Sequence, residues 1–84
     1  ATTASKKKKL ISMLKQHPEG VAIYSKYGGK AHAVLLTDYT DGVFYVVDPV
    51  YGKKVTMAES TLYSKRATQT SRLSALHSYW YIKH

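Results

Sequence analysis

Hydrophobic positions are densest in two runs near the middle of the chain, Ala33 to Leu36 and Val43 to Val47. Between them stand Thr37, Asp38, Tyr39, Thr40, Asp41 and Gly42. β-branched and aromatic residues dominate the runs and an Asp-Gly pair lies in the gap, which predicts two antiparallel strands joined by a tight loop. Both faces of each run are apolar, so the pattern predicts strands covered on both sides. Upstream, Val21 to Ser25 reads as another strand, turned by the segment Lys26 to Lys30 with Gly28 and Gly29. A two-residue turn there sets Ser25 opposite His32 in a three-stranded meander, where Ser25 or Tyr24 can help order what surrounds the histidine.

Before the meander, Leu10, Ile11, Met13 and Leu14 recur at helical spacing, so a helix from about Lys6 to Gln16 covers the sheet. Ser5 is placed to cap it, and Pro18 and Gly20 end it. After Asp48, Val50 to Lys54 with Gly52 reads as a turn and Val55 to Met57 as a short strand. Ala58 to Ser64 is expected to form one or two helical turns, with Thr56 as cap and Glu59 in the first turn. Lys65 to Arg72 is basic, rich in Ser and Thr and poor in bulk apolar residues, which predicts a mobile surface loop. Tyr79, Trp80, Tyr81 and Ile82 are strong strand formers that should close the sheet. The expected class is α+β: an N-terminal helix on an antiparallel sheet of about five strands.

With 84 residues and no cysteine, the chain is expected to be one small domain stabilised by packing alone. It contains neither a run long enough to span a membrane nor the apolar core of a signal peptide. It does not begin with Met, and the expectation is a chain that starts partway through a longer product. No zinc motif, phosphate-binding glycine loop or repeat is visible, and no cofactor is expected. The formal net charge is +8 with only five acidic residues, which favours anionic neighbours such as nucleic acid, anionic lipid or a cell-wall polymer. Lys6 to Lys9 is either a polyanion contact or a solvated helix end. The aromatic tail beside Lys65, Arg66, Arg72 and Lys83 is either a stacking surface for single strands or part of the sheet packing.

Two polar groups interrupt the hydrophobic hairpin at its open end: His32 and Asp48. Their even separation puts both side chains on one face of an unbulged hairpin with an odd-residue loop. A loop centred on Thr40 makes them direct partners, and a three-residue loop with Gly42 in the left-handed position makes them diagonal neighbours. A bulge or an even-residue loop would separate them. A carboxylate beside an imidazole stabilises the imidazolium and fixes which ring nitrogen carries the hydrogen. That is either the base-and-orienter pair of a nucleophilic hydrolase or a strand-end histidine bonded to a turn aspartate for structure alone. His17, by contrast, reads as a surface residue, and His77 and His84 have no metal-ligand spacing between them.

The run AHAVLLTDYTDGVFYVVDP, followed by GKKVTM, resembles the C-terminal half of bacterial papain-like cysteine peptidases, in particular the bacteriocin-processing and cell-envelope group. The resemblance covers about residues 17 to 60 and implies His32 as general base and Asp48 as its orienter. It also implies a peptide or peptidoglycan-like substrate, a place outside the bacterial cell or in its envelope, and a nucleophilic Cys on an upstream segment. This chain has no Cys, so no peptidase activity is expected from these residues alone. The alternatives are a non-catalytic basic module for an anionic cell-wall polymer or nucleic acid, and a partner that completes its sheet with another chain.

Overall fold

A computed structural model describes residues 3–81, with the side chains of 78–81 left aside. Helix α1 spans Thr3–Gln16, followed by strands β1 (Val21–Tyr27), β2 (Lys30–Thr40), β3 (Val43–Asp48) and β4 (Lys53–Thr56). Helix α2 (Gln69–Ser74) and strand β5 (Leu76–Tyr81) complete the described residues. The five strands form one antiparallel sheet in the order β4-β3-β2-β1-β5. The first four follow one another as a meander, and the last returns to pair with β1.

Burial alternates along β1 and β3, with Val21, Ile23, Phe44 and Val46 closed off and the residues between them half-exposed. One face of the sheet therefore packs, and the prediction that both faces are covered is corrected. Val34 and Leu36 of β2 share the packed face, which is roofed by Leu10 of α1, Leu73 of α2, and Met57 and Leu62 from the segment between β4 and α2. Ile11, Met13 and Leu14 lie along the edge of this core, as their helical spacing predicts. Ser5 lies inside α1, which begins at Thr3, so it does not cap the helix.

Two further expectations are corrected. Thr56 and Glu59 do form a reciprocal cap: the Glu59 amide donates to Thr56 Oγ1 at 3.2 Å and the Thr56 amide to Glu59 Oε1 at 3.2 Å. No helix follows. The Thr61 amide is committed to Asp48, and the carbonyls of Ala58, Ser60 and Leu62 accept from Arg72. With both donors and acceptors engaged at long range, the local ladder of a helix has nothing to build on. The expected mobile loop from Lys65 to Arg72 likewise contains the start of α2, capped by Thr68 Oγ1 accepting from the Ser71 amide at 3.2 Å. Gln69 pins this helix to the sheet: its Oε1 accepts from the Phe44 amide at 2.8 Å and its Nε2 donates to the Gly42 carbonyl at 3.0 Å.

At the entry to β1, Gly20 is buried with φ +129, and a Cβ there would stand 2.7 Å from Leu35 Cδ1. Backbone strain and overpacking act together. A Gly20→Ala exchange should therefore cost about 2 kcal/mol, read as a lower urea midpoint with an unchanged slope.

Candidate functional site

His32 opens β2 and Asp48 closes β3, and the register between these strands decides whether the two meet. Asp41 (φ 51) and Gly42 (φ 81) form a two-residue turn of the kind that matches strand twist, and Thr40 pairs with Val43. Such an even loop by itself would send His32 and Asp48 to opposite faces. The register then shifts between Leu36 and Asp38, so that Leu36 pairs with Val46 and Leu35 with Val47. Thr37 is the extra residue of a bulge, and its hydroxyl donates to the Tyr45 carbonyl at 3.3 Å and to Asp38 Oδ2 at 2.9 Å. The bulge reverses the parity change made by the loop. Both loop types expected from sequence are thus corrected, and their shared consequence stands: the two side chains lie on one face, in diagonal register.

His32 Nε2 lies 3.2 Å from Asp48 Oδ1. The Asp48 side chain is fully buried, whereas the imidazole keeps 23% of its surface open. Three further donors hold the carboxylate. The Val50 amide reaches Oδ1 at 3.0 Å, and the Thr61 amide and hydroxyl both reach Oδ2 at 2.7 Å. Burial works to raise the Asp48 carboxyl, but the hydrogen bonds from Thr61, Val50 and His32 outweigh it and hold the group below the ordinary aspartate value. An ionised carboxylate can only accept, so the His32 proton sits on Nε2 and the lone pair on Nδ1. An imidazole fixed in this way can take a proton through its outer nitrogen.

Thr61 and Arg72 belong to this site although sequence reasoning did not assign them there. The Arg72 guanidinium donates to the carbonyls of Ala58 (3.0 Å), Ser60 (2.9 Å) and Leu62 and to Ser64 Oγ (3.1 Å), and so clamps the segment that presents Thr61 to Asp48. Burial lowers the Arg72 pKa, while Tyr51 and Asp48 work against that shift. The capping signal at Thr56 was the one local hint that this stretch is ordered. A Thr61→Val exchange removes the hydroxyl but keeps the amide. It should cost about 1 kcal/mol and move the Asp48 pKa upward, as carboxyl-carbon chemical shifts followed through a pH titration will show.

Ser25 is the register partner of His32, as predicted, while Tyr24 pairs with Ala33 and faces the other way. Ser25 is fully buried and its hydroxyl has no hydrogen-bond partner among the described residues. The large apolar side chains left exposed among the described residues are Tyr27, Val50, Tyr51 and Tyr63. Tyr27 ends β1, Val50 and Tyr51 follow Asp48, and Tyr63 lies under Lys30 Nζ, 6.0 Å from its ring centroid. All four therefore gather at the end of the sheet that carries His32.

The other candidate groups lie elsewhere. His17 pairs with Glu19 at 3.6 Å, and His77 stands exposed on β5. Lys6 donates to the carbonyls of Ser74 (2.9 Å) and Leu76 (3.0 Å), and Lys7 lies over the Tyr39 ring. Half of the four-lysine run is therefore occupied within the fold. The side chains of Tyr79, Trp80 and Tyr81, and all of Ile82, Lys83 and His84, lie outside the described residues. Among the described residues, no group of three His, Cys, Asp or Glu could hold a metal, and no helix is long and apolar enough to cross a membrane. No protein-family model, no curated protein and no solved structure matches this chain.

Proposed function

We propose that this chain is the sheet half of a papain-like cysteine peptidase or amidase, in which His32 is the general base and Asp48 its orienter. One observation carries this reading: a part-exposed imidazole bound through Nε2 to a fully buried carboxylate that three other donors hold ionised. A purely structural histidine has no need of so rigid a partner. In the proposed mechanism Nδ1 faces a thiol supplied by another segment, takes its proton, and leaves a thiolate to attack the carbonyl of the scissile bond. Asp48 stabilises the imidazolium that results, and the imidazolium then returns the proton to the leaving amine.

The chain has no Cys, so by itself it is expected to show no thiol-dependent hydrolysis. The test is peptide hydrolysis by a protein joining this sheet to a Cys-bearing segment, compared with its His32→Ala form. Undiminished hydrolysis in that variant would refute the assignment. A basic module for nucleic acid or a cell-wall polymer is the weaker reading, because Lys6 and Lys7 are turned to internal partners.

A further inference from the structure

We propose that the groove between the end of β1 and helix α2 binds the carboxylates of an acidic peptide and is the substrate-recognition surface of the His32 site. Its role as a substrate surface rests on the peptidase reading, whereas its affinity for acidic peptide does not.

The groove encloses about 340 Å³ and is lined by Lys26, Tyr27, Lys65, Ser71, Ser74 and His77, together with Ala75. Two lysines, a histidine and two serines are among these residues, and among the described residues no Asp or Glu lines the groove. The acidic side chains of the chain lie elsewhere or are engaged. Asp38 and Asp41 lie at the far end of the β2–β3 hairpin, and Glu19 precedes the far end of β1. Asp48 is buried, and Glu59 is held by Thr56. The field at the groove therefore has one sign, and it attracts anions.

Position ties the groove to the site. Ser25 is the register partner of His32, and Tyr27 lies two residues further along the same face of β1, a step of about 7 Å. Tyr27 is 49% exposed and gives the groove an apolar wall. Separated ammonium groups with hydroxyl donors and an aromatic wall suit carboxylates spaced along a peptide. Dense phosphate is better met by the forked donors of arginine, and no arginine lines this groove.

The experiment is a titration of the 84-residue chain with a blocked hexaglutamate peptide, followed by amide chemical shifts. Hexaglutamine and inorganic pyrophosphate serve as the neutral and the phosphate probes. Saturable shifts centred on Tyr27, His77 and the Ser71 to Ser74 amides are expected. The double exchange Lys26→Gln with Lys65→Gln should weaken binding about tenfold, and added salt should weaken it further. Lys8→Gln with Lys9→Gln, on the exposed side of α1, should leave it unchanged. Shifts centred elsewhere, an equal loss in both lysine pairs, or equal binding of hexaglutamine or pyrophosphate would overturn the proposal. Loss of groove binding beside His32-dependent hydrolysis removes the groove alone. Groove binding beside hydrolysis indifferent to His32 removes the peptidase reading and leaves an acidic-peptide module.

Discussion

Asp48→Ala should lower the unfolding free energy of this chain by about 3–4 kcal/mol, the largest loss expected from a single exchange at the site. The carboxylate accepts from the Val50 amide, from the amide and hydroxyl of Thr61, and from His32, and its side chain is fully buried. Alanine leaves those donors without a partner and without ready access to water, and an unmet buried donor costs more than the bond contributed. For a domain of this size the loss corresponds to a fall in Tm of roughly 15–30 °C. It should propagate to the segment clamped by Arg72, so Asp48→Ala and Arg72→Ala should be strongly non-additive in a double-mutant cycle. Asp48→Asn, which keeps one acceptor oxygen, should cost less. Unchanged stability in the alanine variant would mean that the carboxylate is not the anchor described.

The same carboxylate sets an acid limit. Its folded pKa lies below the ordinary aspartate value, so its contribution is fully present above the unfolded pKa of about 3.9. As pH falls from there through the lowered folded value, the unfolded state takes up the proton first and the contribution is lost. Urea unfolding of the wild type and Asp48→Asn should therefore differ at about pH 5 and above and converge as pH falls below it. Asp38, bound by Lys54 at the surface, shifts in the same direction but is screened by solvent and should matter little.

If the proposed peptidase reading holds, His32→Ala should lower kcat for peptide hydrolysis about 10³-fold in a protein that joins this sheet to a Cys-bearing segment, the magnitude expected for a lost general base. The fold should survive, because the imidazole makes one side-chain hydrogen bond and is part-exposed, so the cost to stability is about 1 kcal/mol. A large kinetic loss beside a small stability loss distinguishes a base from a structural histidine. Thiol alkylation gives a second reading: the rate at neutral pH should fall in His32→Ala, because less thiolate is held beside the imidazole. Asp48→Asn should keep the ring in place with a weaker orienter and lose less activity than His32→Ala. Equal alkylation rates in wild type and His32→Ala would place the thiol away from Nδ1.

Much of this architecture can be read from local pattern. The helical spacing of Leu10, Ile11, Met13 and Leu14, the two apolar runs of the hairpin, and the glycine turns specify the presence and order of α1 and the β1 to β3 meander, although β2 runs on through Thr37 to Thr40, which the pattern assigns to the gap. Ser25 opposite His32 followed from the tight Gly28-Gly29 turn. Here the information is local because each element's periodicity reports which face it buries. Unlike the Thr68 cap of α2, which is a local signal, the stretch from Ala58 to Leu62 is not legible in this way. Its amides and carbonyls find their partners on Asp48 and Arg72, many residues away, and no local propensity encodes that exchange.

By itself, then, the sequence determined that an imidazole and a carboxylate stand at the open end of a hydrophobic hairpin, sixteen residues apart. Whether they share a face was decided only in three dimensions, where the parity change of the Asp41-Gly42 loop is cancelled by the bulge at Thr37. Tertiary structure likewise placed Thr61 on the carboxylate and Arg72 behind Thr61, because a buried charge gathers donors from wherever in the chain they can be brought.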